Sequence, residues 1–350
     1  MKRKFSRKAL VALFAVSALA LSACSSGDDA SGDVKVSLIL KNQTNPFFVS
    51  MVKGAEAKAA ELGIDLTISS GKEEGDDAAQ IAAIENAISA KHAGIVITVM
   101  STNVNAAITK AREAGLLVIA LDTPTDPADI ADITFATDNR EAGRLIGQWG
   151  AKKLGGQKAV IALLNIFDDR VSPVDYLRDN GFLEGMGIPV NDPNKMADEA
   201  KTGKYSGGDY EIVGNVATGA NEDGGRSGME KLLARNSNIN IVYTINEPTA
   251  IGACAALKAA KKTAIVVSVD GGLSGIEAVK SGCIGATSQQ YPLRMADIGL
   301  QAIYDLVKSG KKPEVTPGKD FFDTGVTLIT DDPQDGVPSE STQYGIDNAW

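Results

Sequence analysis

INIVYTINEPTAIGACAALKAAKKTAIVVSVDGGLSGIEAVKSGCIGATSQQYP, residues Ile239–Pro292, is the stretch whose reading decides the fold. Three apolar runs there each stop at a polar residue: INIVYTI at Asn246, AIVVSV at Asp270 and IGATSQ at Gln290. Helical patterns separate them over Pro248–Lys262 and Leu273–Ser281. Apolar runs without alternation are strands of a parallel sheet covered on both faces, so the stretch reads βαβαβ. In an open parallel sheet the ligand crevice lies beyond the carboxyl ends of the strands. An amide, a carboxylate and a second amide converging there suit a polyhydroxy ligand, because amides donate and accept while a carboxylate takes hydroxyl protons. Capping of the following helices is the plain alternative for Asn246 and Asp270. Three polar strand ends in succession favour a site.

The same alternation begins at Val34. VKVSLILK precedes a helix over Phe47–Leu62, IDLTISS one over Asp76–Lys91, GIVITV one over Asn103–Ala114, and LLVIAL the Asp122-Thr123-Pro124 loop. ITFA leads through Thr137-Asp138-Asn139 into a helix over Arg140–Leu154. A second set follows: KAVIALL with a helix around Val174–Glu184, YEIVGNV with a helix over Glu222–Ala234, then the opening stretch. Pro189–Asp209 is polar and without periodicity, which predicts a surface excursion. After a helix over Leu293–Lys308, FFDTGVTLIT reads as a late strand and the rest as a polar tail to Trp350. The fold class is therefore α/β with parallel sheets, and 350 residues are enough for two lobes.

A net charge of −9 argues against a nucleic-acid face. Lys2, Arg3, Lys4, Arg7 and Lys8 precede an apolar segment, Ala9–Ala20, too short to span a bilayer, which predicts a signal peptide over residues 1–23. It ends in Leu21-Ser22-Ala23-Cys24, which resembles a bacterial lipobox and implies lipid attachment at Cys24, a tether over 24–33 and an extracytoplasmic, membrane-anchored protein. Loss of the five cations of residues 1–23, which carry no acid, takes the charge to −14, ill suited to an anionic substrate. Cys254 and Cys283 read first as buried free thiols, with a bridge open to an exported chain. His92, the only histidine, reads as an exposed helix end. No catalytic triad, metal or cofactor is expected.

TNPFF (Thr44–Phe48), LDT (Leu121–Thr123), ATDN (Ala136–Asn139), LRDNGF (Leu177–Phe182), INEPTAIGA (Ile245–Ala253), SVDGG (Ser268–Gly272) and ATSQQYP (Ala286–Pro292) together resemble the ribose-type family of periplasmic sugar-binding proteins, the receptors of ABC importers. The resemblance runs from about Val34 to Thr330 and is closest to the fructose-binding branch. It implies two Rossmann-like lobes, 34–138 plus 291–324 and 139–290 plus 325–350, with hinge crossings near Asp138–Asn139, Gln290–Tyr291 and Asp323–Val326. It also implies a monomer that binds a monosaccharide, most closely fructose, and docks on the importer's membrane subunits.

Position by position, Asn45, Phe47 and Phe48 match the first-strand loop, where an amide bonds a hydroxyl and an aromatic ring covers a sugar face. One ring is expected in the core and one in the cleft. Asp122 and Arg178 match a carboxylate–arginine pair gripping adjacent hydroxyls. Asn246, Asp270 and Gln290 match three second-lobe contacts, and Thr98, Asp138 and Asn221 complete the expected set. Thr98 replaces an asparagine, Thr123 stands where an arginine usually follows the aspartate, and Ala220–Asn221 falls where a stacking phenylalanine is usual. These departures imply a pocket roomier or more polar than a strict ribose site.

Other classes fare worse. A repressor sharing this core would carry a helix-turn-helix where the export signal stands. GGRSGME (Gly224–Glu230) lacks the GK[ST] ending of a phosphate loop, no G-x-S-x-G elbow is present, and Asp168-Asp169 reads as a solvated turn, so an enzyme is not expected. A receptor for another small polyol or a quorum-type signal is the alternative within the same chemistry. If Cys24 carries the lipid, Cys24→Ser should release the chain from membranes or leave it unprocessed; a mature-length variant still sedimenting with membranes would remove the anchor.

Overall fold

The computed structural model describes residues 34–350; the expected signal peptide, Cys24 and the tether lie outside them. The elements run β1 (Val34–Leu40), α1 (Pro46–Leu62), β2 (Ile64–Ser70), α2 (Asp77–Ser89), β3 (Gly94–Ile97), α3 (Asn105–Glu113), β4 (Leu117–Leu121), β5 (Ile133–Ala136), α4 (Asn139–Lys153), β6 (Ala159–Asn165) and α5 (Pro173–Met186). They continue with β7 (Thr202–Tyr205), β8 (Gly208–Ala217), α6 (Glu222–Arg235), β9 (Ile241–Thr244), α7 (Glu247–Ala259), β10 (Ile265–Asp270), α8 (Leu273–Lys280), β11 (Ala286–Gln289), α9 (Pro292–Ser309), β12 (Phe322–Asp323), β13 (Thr327–Ile329) and α10 (Thr342–Asp347).

Two sheets result, ordered β12-β5-β4-β3-β1-β2 and β13-β11-β10-β9-β6-β8-β7. The first is parallel throughout, and the second is parallel except for its outermost pairs, β11 with β13 and β7 with β8. β3, β6 and β9 are buried along their whole length, as helices on both faces require. Each sheet with its helices makes a lobe. The chain passes between them at 137–139, returns at 290–291, and passes again at 324–326. Strand ends on both sides of these passages are thereby brought together.

One close helix contact aims a functional residue. Extra carbons on Gly143 and Gly147 of α4 would sit 2.1 and 2.2 Å from the carbonyls of Arg178 and Phe182, and on Gly181 and Gly185 of α5 they would sit 2.2 Å from those of Arg140 and Arg144. The two backbones approach to a distance only glycine permits. α5 therefore runs flush against α4, carrying Arg178 to Asn139 at the first passage.

Several expectations are corrected. Cys254 and Cys283 form a disulfide joining α7 to the turn after α8. A cross-link across 29 residues of separation stabilises by about 3–4 kcal/mol in the chain-entropy account. His92 is half-buried, its Nδ1 2.8 Å from Ser37 Oγ, and burial lowers its pKa. FFDTGVTLIT splits, β12 joining the first sheet and β13 the second. The 189–209 excursion ends in the edge strand β7, and Asn180 Nδ2 donates to the carbonyls of Pro193 (3.0 Å) and Lys195 (3.1 Å) to hold it down. The polar tail folds back as α10 because Gln289 Nε2 donates to Gly345 O (2.9 Å) and the Asp331 carboxylate accepts from Thr342 N and Oγ1 (2.9 and 2.8 Å). Among the described residues no helix is long and apolar enough to cross a membrane.

Asp179 on α5 is fully buried, and neither carboxyl oxygen makes a well-formed hydrogen bond. Burial pushes its pKa well above the usual carboxylate value, and the Glu199 and Asp175 carboxyls push the same way. The folded chain thus holds a proton that the unfolded chain gives up above about pH 4, so this stability contribution is complete below that pH and fades as pH rises. Asp179→Asn keeps the shape and cannot ionise. It should melt roughly 2–4 °C above wild type at pH 8 and show little of that gain at pH 3.5. Equal shifts at both pH values would contradict the account.

Candidate functional site

The site grows from two strand ends. Asp122 directly follows β4 with φ 62°, and β10 ends at Asp270 with φ 147°. Both are non-glycine residues in the positive-φ region, a strain of about 1–3 kcal/mol each that surrounding structure must hold in place. Here the holding structure is Arg178, whose residue is only 4% exposed. Its Nε donates to Asn139 Oδ1 (2.7 Å), its Nη1 to Ile245 O (3.0 Å), and its Nη2 to Asp122 Oδ1 (3.1 Å) and Gln290 Oε1 (3.2 Å). Asp270 Oδ1 lies 4.0 Å from Nη1 and accepts from Gln290 Nε2 at 3.0 Å. Asn139 Nδ2 donates to Asp122 O at 2.7 Å, and Thr123 Oγ1 donates to Asp122 Oδ2 at 3.0 Å. One guanidinium therefore faces two carboxylates, one from each lobe. Only arginine's planar fork can serve so many acceptors at once.

Beside this network lies a narrow cavity of about 30 Å³, room for little more than a water molecule, so the two walls must part before a sugar can enter. Asn45, Phe47, Phe48, Asp122, Arg178, Asn246, Asp270 and Gln290 line it. Phe47 and Phe48 meet edge to face at 5.5 Å, and both belong to the first lobe's core as well as the cavity wall, so the expected division of the rings does not occur. The facing wall is aliphatic: Ile166, Val174, Ala220 and Ile245. Among the described residues no ring lines that wall, where the resemblance implies a phenylalanine.

Capping and lining turn out to be separate questions. Asn45 Oδ1 caps α1 through Phe47 N (2.9 Å), and Asn246 Oδ1 caps α7 through Thr249 N (3.1 Å), yet both residues line the cavity. Asp270 caps nothing, since the N-cap of α8 is Gly272.

Three expected residues lie elsewhere. Thr98 is fully buried and its Oγ1 accepts from Lys41 N (3.0 Å), fixing the end of β1. Asp138 caps α4 and is held by Lys319 Nζ at 2.7 Å, beside a different cleft. Asn221 is exposed and caps α6 through Gly224 N (2.8 Å).

Three further residues went unread. Lys41 and Glu74, a buried pair at 3.1 Å, line the cavity from the first lobe. Lys41 ends an apolar strand as Asp270 does, so the strand-end rule could have found it; Glu74, in a polar loop, carried no signal. Glu247 stands behind Asp270 and accepts from Gly271 N (2.8 Å), Gly272 N (3.1 Å) and Thr287 Oγ1 (2.8 Å), tying the ends of β9, β10 and β11 together. Burial first, and their mutual proximity, raise the pKa of Glu247; burial raises that of Asp270, opposed by Arg178.

The rim is closed by contacts between lobes. Arg170 Nη1 donates to Gly75 O (2.7 Å) and Asp77 Oδ2 (3.0 Å), and Thr102 N donates to Val171 O (3.0 Å).

A family profile described as a periplasmic binding protein domain matches residues 36–312. The chain is 29% identical over 309 residues to the ribose import binding protein of Haemophilus influenzae, covering 88% of this chain and 96% of that one. It is 26% identical over 302 residues to the D-allose-binding periplasmic protein of Escherichia coli, covering 84% and 91%. A solved ABC transporter solute-binding protein from Agrobacterium vitis with bound D-fucose matches with a TM-score of 0.73 at 24% identity, covering 90% of this chain and 100% of that one. At that identity the structural likeness is one of fold.

The Arg178 network yields a test that needs no ligand. Arg178→Lys keeps the charge but cannot reach Asn139, Ile245, Asp122 and Gln290 together, and buried acceptors are left unpaired. Urea melts should show a loss of at least about 2 kcal/mol. Wild-type stability would mean that charge alone suffices.

Proposed function

Because the chain belongs to the periplasmic binding protein domain family, we propose that it is the extracytoplasmic sugar-binding component of an ABC importer, its lobes closing on one monosaccharide beside Arg178. The family's members similar to this chain are solute-binding proteins, not enzymes. The observation that carries the reading is the meeting of Asp122 and Asp270, from opposite lobes, on one buried guanidinium at a cavity with two phenylalanine rings. Carboxylates accept hydroxyl protons, the guanidinium donates to hydroxyl or ring oxygens, and the rings cover the sugar's C–H face. Because the ligand would touch both lobes only when they meet, its binding free energy favours closure; roughly 5 kcal/mol of preference converts a mostly open population into a mostly closed one.

Residues 34–138 with 291–324 form the first proposed lobe, and 139–290 with 325–350 the second. Asn45, Phe47, Phe48, Asp122, Arg178, Asn246, Asp270 and Gln290 are the proposed contacts, with Lys41 and Glu74 added from the cavity wall. The Cys254–Cys283 disulfide supports an oxidising compartment, in keeping with a lipid anchor at Cys24. Fructose is the proposed sugar. Thr123 and the aliphatic second wall depart from the ribose-type pattern, while relatives are named for ribose and allose.

A thermal-shift and calorimetric panel over fructose, ribose, allose and other monosaccharides tests the sugar; fructose should bind best. Asp270→Ala should weaken that binding by roughly one to two orders of magnitude, since an unpaired hydroxyl costs about 1–3 kcal/mol. Its unliganded melt should hold, because a buried carboxylate with a raised pKa gives the free fold little. A variant binding within about twofold of wild type would remove Asp270 from the site.

A further inference from the structure

Trp350 makes three contacts that belong to three parts of the molecule. Its indole meets the Phe47 ring edge to face, centroids 5.5 Å apart at 83°. Its Nε1 donates to the carbonyl of Gln290 at 2.9 Å, at the second passage between lobes. Its ring also lies on Gly272, where an added carbon would come within 2.8 Å of the indole, so the Asp270-Gly271-Gly272 turn is bare just where the ring rests. The segment that carries Trp350 is fixed to the second lobe: α10 packs on α8 and β13, Gly345 abuts Ile276 and Ile329, and Gln289 holds its carbonyl. Phe47, by contrast, stands at the start of α1 in the first lobe's core.

We propose that Trp350 is a positioning residue for the ligand site, a latch through which the second lobe holds the Phe47 wall of the first and so sets how tightly sugar is retained. The proposal rests on the sugar-binding reading above. If the lobes part, Phe47 travels with α1 while Trp350 stays with α10. The ring contact then belongs to the closed arrangement alone, and an interaction made in one state only shifts the equilibrium toward that state. The same indole backs the turn that presents Asp270 and touches the carbonyl of Gln290, so the aromatic wall and two polar contacts are placed by one side chain. In its place behind Phe47, a second-lobe aromatic acts on the site without lining it.

Trp350→Ala should weaken sugar binding roughly 3–10-fold, the scale of one lost aromatic pair, chiefly through faster dissociation. Trp350→Phe should recover part of that loss. With saturating sugar, amide exchange over residues 46–52 should quicken in the alanine variant, which a role confined to α10 would not produce. Intrinsic fluorescence gives a third readout. The protein has two tryptophans, and Trp149 is 1% exposed in the second lobe's core. A sugar-induced change should therefore be lost in Trp350→Phe. Alanine-variant affinity within twofold of wild type, unchanged exchange at 46–52, or a fluorescence change surviving in Trp350→Phe would each overturn the latch. If wild type binds no monosaccharide, the sugar reading fails and the latch falls with it; wild type that binds while the alanine variant binds equally well overturns the latch alone.

Discussion

Arg178 is the constraint on which the rest of the molecule depends. A guanidinium held away from water must be surrounded by acceptors, because an uncompensated buried charge costs several kcal/mol. Those acceptors come from far apart in sequence: Asp122 after β4, Asn139 at the start of α4, the Ile245 carbonyl after β9, and Gln290 after β11. Satisfying one side chain thus fixes the meeting of strand ends from two sheets and two of the three passages between them. The glycine-lined contact of α4 with α5 is what makes the geometry reachable, since a single added carbon at Gly143 would strike the Arg178 carbonyl itself.

Strain and charge are arranged around that hub in tiers. Asp122 and Asp270 sit at positive φ, and neither conformation would persist on its own. Asp122 is held by Asn139, Thr123 and Arg178. Asp270 is held from in front by Gln290 and from behind by Glu247, which takes the two amides that follow it. Glu247 makes its bonds to backbone and to Thr287, so it shapes the turn without entering the cavity. Each tier leaves the next with fewer positions available, and the carboxylates end up aimed before any ligand arrives.

How much of this was legible follows from what each feature depends on. The parallel strands and their polar ends were readable because burial on both faces leaves an unbroken apolar run, and Asn246, Asp270 and Gln290 interrupt such runs. The helix-cap alternative could not be settled from sequence: Asn246 caps and lines at once, whereas Asp270 does not cap because Gly272 takes that position. Thr98, Asp138 and Asn221 stand on the right loops, but Lys41, Lys319 and helix termini engage their polar atoms. Glu74 and Glu247 were invisible because their meaning lies in partners distant along the chain. The same holds for α10, a six-residue helix too short to form alone and stabilised by Gln289 and Asp331. The disulfide was undecided because spacing says nothing about whether α7 and the turn after α8 are neighbours.

The construction also separates selectivity from retention. An aromatic face accepts any ring with a patch of C–H groups, and an aliphatic wall such as Ile166, Val174 and Ile245 discriminates by little more than size. Directional acceptors differ: a site built to pair a hydroxyl strongly rejects an analogue that lacks it, because its own buried groups are then left unpaired. On the proposed reading, the two carboxylates on one guanidinium, with the amides of Asn45, Asn246 and Gln290, are the groups that read the stereochemistry of the hydroxyls. On the proposed reading, retention would depend instead on what holds the lobes together once the ligand is inside, namely Arg170 on Gly75 and Asp77, Thr102 on Val171, and the indole on Phe47. Substitutions in the first group should change which sugar is preferred, while substitutions in the second should change how long any sugar stays, because only the first group touches atoms that differ between sugars.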